Sequence, residues 1–204
     1  MLEITAIIQA RLNSSRLPRK VLMDIGGHTL LWHSINNAKK GFDKVIVATP
    51  DSQIAGLAES YGVNSFIGDE KDVLDRYYQA AVAFEAEHIA RLTADNPMIP
   101  PSIMRRATEF YCCGDYDYID TKKFPTGVRV EIFSMEALEL AWNGAETDYE
   151  REHVTPYMYN YPEIFRVGYL ENDVDLSHMQ WSVDTVEELE GVRFIYSYMK
   201  EVGQ

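Results

Sequence analysis

Residues 9 to 20 read QARLNSSRLPRK and gather one sign of charge in a chain dominated by the other. The whole sequence holds 32 Asp and Glu against 19 Lys and Arg, a formal net charge of −13. Between residues 11 and 20 stand four cations, Arg11, Arg16, Arg19 and Lys20, and no acid. Such a cluster is too small for a duplex, and the acidic balance excludes the broad basic face that nucleic acid requires. Its size suits one polyphosphate. Asn13, Ser14 and Ser15 favour a tight turn that offers N–H and hydroxyl donors to an anion. Arg16 would grip phosphate oxygens as a fork and Lys20 as a point charge. The pattern is not a Walker loop, because GxxxxGK[ST] is absent. A solvated basic turn without a ligand is the competing reading.

A polyphosphate that reacts usually brings magnesium, so carboxylates at strand ends are the next chemistry to seek. Asp95 closes the run HIARLTA and precedes Asn96 and Pro97, and Asp184 closes MQWSV and precedes TVEELEGVRF. Both would lie at the carboxyl end of a strand, beside the basic loop, where they could share Mg²⁺. Each also has a structural reading. Asp184 with Glu187 three residues on has the form of a capping box, and Asp95 suits a turn before Pro97.

These residues need a frame that brings strand ends together. ITAIIQA (4–10) and KVIVAT (44–49) are branched apolar runs suited to buried strands. Apolar spacing predicts helices over 28–40, 52–62 and 72–87, a short strand at NSFIG, and a strand at 88–95. A helix from about Ser102 to Cys112 and the strand YDYID follow. Strand and helix alternating at these intervals imply an α/β fold with a mainly parallel sheet covered by helices on both faces. Ligands of such sheets bind beyond the carboxyl ends of the strands, where the loop and both acids would lie.

After residue 124 the rhythm changes. VRVEIFS (128–134) alternates as a strand, EALELAW is helical, TDYEREHVTPYMYNYP is polar and aromatic, and the strand EIFRVGYL and a helix from about Val186 close the chain. No linker, repeat or low-complexity segment interrupts it, so one domain over 1–204 is expected. No apolar run approaches the roughly 18 residues of a membrane span, and the N-terminus lacks the pattern of a signal peptide. Cys112 and Cys113 are adjacent and give no disulfide framework, which fits a cytoplasmic protein.

The stretches IIQARLNSSRLPRKVL, GDEKDVLDRYYQAA, IARLTADNPMI, FPTGVRVEIFSMEALELAW and YEREHVTPYMY occur in this order over nearly the whole chain. Together they resemble the cytidylyltransferases of the spore-coat-polysaccharide type, relatives of the acylneuraminate and ketodeoxyoctonate (KDO) enzymes. The resemblance implies a three-layer α/β/α fold with a mixed, mainly parallel central sheet, like that of the nucleotide-diphospho-sugar transferases. It implies Mg²⁺-dependent transfer of CMP from CTP to a sugar acid or related alcohol, with release of pyrophosphate. The loop from Ala10 to Lys20 would wrap the triphosphate, with Arg11, Arg16 and Lys20 at the family's basic positions. Asp95 and Asp184 would hold the metal, and Arg76 would sit near the nucleotide. Residues 124–165 would bind the acceptor and form a homodimer, which Tyr149, Tyr157, Tyr159, Tyr161 and Phe165 also suggest, since Tyr is enriched at interfaces. Three positions depart from the family pattern, two of them in the loop: Arg19 replaces a glycine before the lysine, and Asn13, which tolerates φ > 0, replaces another. Arg129 stands where relatives often have an acid or amide, which bears on the acceptor.

Other features carry less. His153 could order a loop, or line an acceptor pocket with Tyr149, Arg151, Arg129 and Glu131. Arg91 lies mid-strand just before Asp95; if buried it needs an anion, either the nucleotide or a structural carboxylate. Arg76 could instead pair with Asp72. Glu85-x-x-His88 and Glu150-x-x-His153 have di-iron spacing without the four-helix pattern that chemistry needs. Asp115-x-Asp117 could be the DxD of a glycosyltransferase, but it more simply enters a strand with Tyr116 and Tyr118 facing inward. A glycosyltransferase and a non-catalytic nucleotide-binding domain are therefore the alternatives.

Overall fold

The structure, a computed structural model, describes residues 2–201. Strand β1 (Ile4–Gln9) leads into the basic loop and a 3₁₀ turn at Lys20–Leu22. A hairpin of β2 (Asp24–Ile25) and β3 (His28–Thr29) follows, then helix α1 (Leu30–Gly41), β4 (Lys44–Thr49) and α2 (Ser52–Ser60). Next come β5 (Asn64–Ile67), α3 (Val73–Ala83), β6 (His88–Thr93), α4 (Pro101–Cys113) and β7 (Tyr118–Lys122). The chain continues through β8 (Glu131–Ser134), α5 (Met135–Gly144), two short helices, α6 (Asp148–His153) and α7 (Pro156–Asn160), then β9 (Val167–Glu171) and α8 (Val186–Glu201).

Seven strands form one sheet in the order β5-β4-β1-β6-β8-β7-β9. Every pairing is parallel except those of β8, which runs antiparallel to both β6 and β7. This is the mainly parallel sheet that the alternation implied, mixed as the resemblance implied. Side chains of β1 alternate across it, with Ile4, Ala6 and Ile8 in one core and Ile7 in the other. Leu31 of α1, Ile54 of α2, Met104 of α4 and Leu189 of α8 belong to the first core. Leu74 and Tyr77 of α3, Leu138 of α5 and Met158 of α7 belong to the second. Helices therefore cover both faces, as strands buried on two sides demand.

Several expected boundaries move. The first helix begins at Leu30 rather than residue 28, because His28 and Thr29 pair with β2 and the Thr29 hydroxyl caps the helix by accepting from Trp32 N. The helix expected over 72–87 stops at Ala83, where Glu85 adopts φ +52 and Ala86 N donates back to Ala81 O at 2.9 Å. In VRVEIFS only Glu131–Ser134 is strand, since the Thr121 hydroxyl, not a ladder carbonyl, accepts from Val130 N. The strand in EIFRVGYL begins at Val167, and the polar aromatic segment holds α6 and α7, which periodicity did not reveal.

The largest correction concerns MQWSV, which is not a strand. It is held instead by an isolated bridge between Thr126 and Gln180, with Thr126 N donating to Met179 O (2.8 Å) and Trp181 N to Thr126 O (2.7 Å). Gly127, at φ +96, permits this approach: a Cβ there would lie 2.9 Å from Ser182 Cα.

Beneath the sheet's central strands lies a charged network. Arg91 of β6 and Glu131 of β8 are register partners, both buried, and form an ion pair. Glu131 also accepts from the hydroxyls of Tyr118 (2.8 Å) and Thr155 (2.6 Å), and Arg129 Nη2 lies 3.0 Å from it. Arg129 in turn clasps Asp120 with two bonds, at 3.0 and 2.9 Å. Burial alone would raise the Glu131 carboxyl, but Arg91, Arg129 and the two hydroxyls hold it down at about 2. Removing one member of a buried pair strands the other's charge, so Glu131→Gln is expected to destabilise the fold by about 3–5 kcal/mol. Urea unfolding measures this directly. An unchanged midpoint would show that the network carries no stability.

Candidate active site

β1 and β6 lie side by side with Gln9 opposite Thr93, so the two segments that follow them leave the sheet together. The chain passes from β1 to β4 and β5 on one side, then returns to β6 on the other. That reversal opens a crevice at the carboxyl ends of the strands. A cleft of about 280 Å³ occupies it, lined by the basic loop, Arg76 of α3, Ala94 and Asp95 after β6, Glu152 and His153 of α6, and Asp184.

Lys20 is its pivot. The loop folds back as Arg19 N donates to Leu12 O (2.8 Å) and Lys20 N to Leu17 O (3.2 Å), and Leu17 and Val21 are buried in the core. The lysine's ammonium donates to Asp95 Oδ2 (2.7 Å), Asp184 Oδ1 (2.7 Å) and Val183 O (2.9 Å). All three of its N–H groups are occupied. Both carboxylates touch one nitrogen, so twice that bond length bounds the separation of the two oxygens. Arg16 adds a second cation to Asp184 at 2.8 Å.

Each acid is held from behind. The Thr93 hydroxyl donates to Asp95 Oδ1 at 2.6 Å. Val183 N donates to Asp95 O at 2.9 Å, fastening the last segment of the chain to the end of β6. The cap of α8 falls one residue later than the sequence suggested. Thr185 Oγ1 accepts from Glu188 N (3.3 Å), and Glu188 Oε2 accepts from Asp184 N (2.6 Å) and Thr185 N (2.9 Å). Glu187 takes no part in these bonds, and the Asp184 carboxylate faces the cleft instead of capping the helix.

Arg76 stands at the wall with its charge uncompensated. It is 1% exposed, its Nη1 donates to Asp69 O, and its Nε has no hydrogen-bond partner. No carboxylate lies within ion-pair reach among the described residues, and burial pushes its guanidinium below the ordinary value. Asp72, its expected partner, is clasped by Arg151.

Of the expected site residues, Ala10, Arg11, Ser14, Ser15, Arg16, Lys20, Arg76, Asp95, His153 and Asp184 line the cleft. Asn13 does not: its amide reaches Glu70 at 3.0 Å. The left-handed backbone falls on Arg19, at φ 60 and ψ 20, the position where the resemblance implies glycine, and Asn13 is not at positive φ. Arg91 found the structural carboxylate, Glu131, and reaches the cleft wall only through Gln9 Oε1, 3.2 Å from its Nη2. Glu131 is 1% exposed and Arg129 is clasped by Asp120, so neither lines the cleft. Arg151 bonds to Asp72 and to Trp142 O (2.8 Å), and Tyr149 is 57% exposed with its ring 4.5 Å from that of His153. Periodicity missed Glu152, which meets Arg11 at 3.5 Å, and Thr93, whose place two residues before Asp95 was its only signal. Asp115 and Asp117 both pair with Arg166, so the DxD pair does not open onto the cleft.

The profile of the family described as Cytidylyltransferase matches residues 5–201. An uncharacterised protein of Methanocaldococcus jannaschii is 40% identical over 92% of this chain and 80% of its own length. The spore coat polysaccharide biosynthesis protein SpsF of Bacillus subtilis is 32% identical over 96% of this chain and 87% of its own. A cytidylyltransferase structure from Leptospira borgpetersenii superposes with TM-score 0.92 at 29% identity, over 97% of this chain and 88% of that one. A CMP-2-keto-3-deoxy-manno-octonic acid synthetase solved with CTP has TM-score 0.79 at 19% identity, over 96% and 99%.

A buried cation without a counter-charge is a cost to the free protein, and replacing it by an apolar residue of similar length is commonly neutral or stabilising. Arg76→Met is therefore expected to unfold at the wild-type temperature or above it. Calorimetric melting decides: a midpoint several degrees lower would make this arginine a structural residue.

Proposed function

The chain belongs to the cytidylyltransferase family, and we propose that it transfers CMP from CTP to a sugar acid or related alcohol, releasing pyrophosphate, in surface polysaccharide synthesis. One observation carries this reading: a basic loop and two carboxylates from distant parts of the chain converge on Lys20 at the strand ends. An acceptor oxygen attacks the α-phosphorus in line, and negative charge grows on the phosphoryl oxygens and the departing pyrophosphate. Arg11, Arg16, Lys20 and Arg76 face that charge, and Ser14 and Ser15 stand beside them with hydroxyl donors. Fixed cations in a partly enclosed cleft favour the transition state by position and electrostatics, without a protein nucleophile.

Asp95 and Asp184 fit a magnesium ion. Two hard carboxylates, with no third acid or histidine clustered among the described residues, suit an ion that completes its shell with phosphate and water. When bound, the metal would neutralise charge on the phosphoryl oxygens. Lys20 would then give up at least one carboxylate and turn a donor toward the phosphates.

The acceptor would enter beside His153 and Glu152, within the region 124–165. Tyr149, Tyr161 and Ile164 are exposed there, which supports a homodimer contact at that surface, whereas Phe165 packs into the chain's own core. No described helix is long and apolar enough to cross a membrane.

The experiment is incubation with CTP, Mg²⁺ and pyrophosphatase against a panel of sugar acids and phosphorylated alcohols. Acceptor-dependent phosphate release is expected; absence of both CTP binding and release would contradict the reading. Lys20→Ala removes one transition-state donor and should lower turnover by about 10²- to 10³-fold. Asp95→Asn and Asp184→Asn should each lose turnover severely, with losses that do not add in the double variant. A variant at any of the three positions with wild-type turnover would break the assignment.

A further inference from the structure

The sharpest backbone strain beside the cleft lies between α6 and α7. Val154 adopts φ 70 and ψ −57, and His153 O accepts from Thr155 N at 2.9 Å. A bond from one residue to the second beyond it, at positive φ, is the strained form of the γ-turn, rare for any residue. A β-branched side chain makes it an outlier. Such a turn persists only where its surroundings over-determine it.

The surroundings here are specific. Val154 is fully buried in the core between the sheet and α3, α5 and α7. Thr155, 1% exposed, donates its hydroxyl to Glu131 Oε1 at 2.6 Å, and Pro156 then starts α7. On the other side of the turn, His153 lies on the cleft wall. Glu131 itself is fixed by Arg91, Arg129 and Tyr118, and Arg91 reaches Gln9 on the cleft floor. A carboxylate anchored in the middle of the sheet thus holds one end of the strained turn, and the imidazole projects from the other.

We propose that Thr155 is a positioning residue: its bond to Glu131 maintains the turn at Val154, and that turn fixes where the His153 ring stands on the cleft wall, beside the bound CTP at the side where the acceptor enters. This rests on the reading of the cleft as a CTP site. It also gives Glu131 a role that its burial allows, as an anchor behind the wall. Without the hydroxyl the turn can relax toward negative φ, and the ring departs from its place while the phosphate contacts of the basic loop remain.

The test compares Thr155→Val, which keeps the shape and loses the hydroxyl, with Thr155→Ser, which restores it. CTP binding with Mg²⁺ is measured by calorimetry, and the His153 ring resonances, identified by their loss in His153→Gln, are followed through the same titration. In the wild type and Thr155→Ser, CTP should displace the His153 signals. In Thr155→Val, CTP should bind no more than about threefold weaker, with the His153 response largely lost. Should Thr155→Val not fold, Thr155→Ala carries the same expectation. A His153 response in the hydroxyl-free variant equal to that of the wild type would overturn the role of Thr155 alone. Failure of the wild type to bind CTP would overturn the reading of the cleft, and this role with it.

Discussion

One ammonium group holds this site together. Lys20 Nζ joins Asp95, 75 residues later, to Val183 and Asp184, 163 and 164 residues later. Two carboxylates this close repel strongly in a partly dry cleft unless a cation lies between them. The lysine supplies it, and in doing so ties the loop after β1, the end of β6 and the segment before α8 into one corner. The bond from Val183 N to Asp95 O reinforces the same junction. A divalent ion between the same carboxylates would preserve the junction and release the lysine. On the proposed reading the corner has two occupants, the lysine in the free protein and a metal ion in the loaded one.

The cleft gathers features that stability alone would not select. Arg76 is buried without a counter-charge, Arg19 takes a left-handed backbone without being glycine, and Val154 closes a strained turn. Each is a local cost at the edge of the same cavity, whereas the sheet beneath is regular and its charges, Arg91, Glu131, Arg129 and Asp120, are mutually paired. Glu85 and Lys123 also take positive φ away from the cleft, but uncompensated charge next to a strained turn on a well-packed frame is a pattern that suits a site for an anionic ligand. The paired network behind the cleft and the unpaired arginine on its wall thus do different things with similar residues.

Much of this was legible in sequence because it is local. Branched runs marked β1, β4 and β6, the charge anomaly marked the loop, and a carboxylate at the end of an apolar run marked Asp95. The polar residues of 124–165 were harder, because their partners are remote. Arg151 meets Asp72 79 positions away and Arg91 meets Glu131 40 away, and no spacing rule announces either pair. Asp184 was placed on a strand that does not exist; a side-chain and backbone bridge to Thr126 does the strand's work, and the sequence cannot show it. The α8 cap falls one residue later for a related reason, since Thr185 competes with Asp184 for the same role and wins it, leaving the Asp184 carboxylate to Lys20 and Arg16. Arg19 was noticed as a departure from glycine, and its left-handed backbone shows what that glycine would have supplied.

On the proposed reading, Asp95 and Asp184 exchange Lys20 for a metal ion as the nucleotide enters. Calorimetric titration of Mg²⁺ into the protein, with and without saturating CTP, decides this. Linkage requires that nucleotide and metal strengthen each other by the same factor, typically 5- to about 150-fold for coupled sites, and that the Asp95→Asn, Asp184→Asn double variant lose the effect. Magnesium affinity equal with and without CTP, after allowance for binding to the free nucleotide, or coupling that survives in the double variant, would contradict the account.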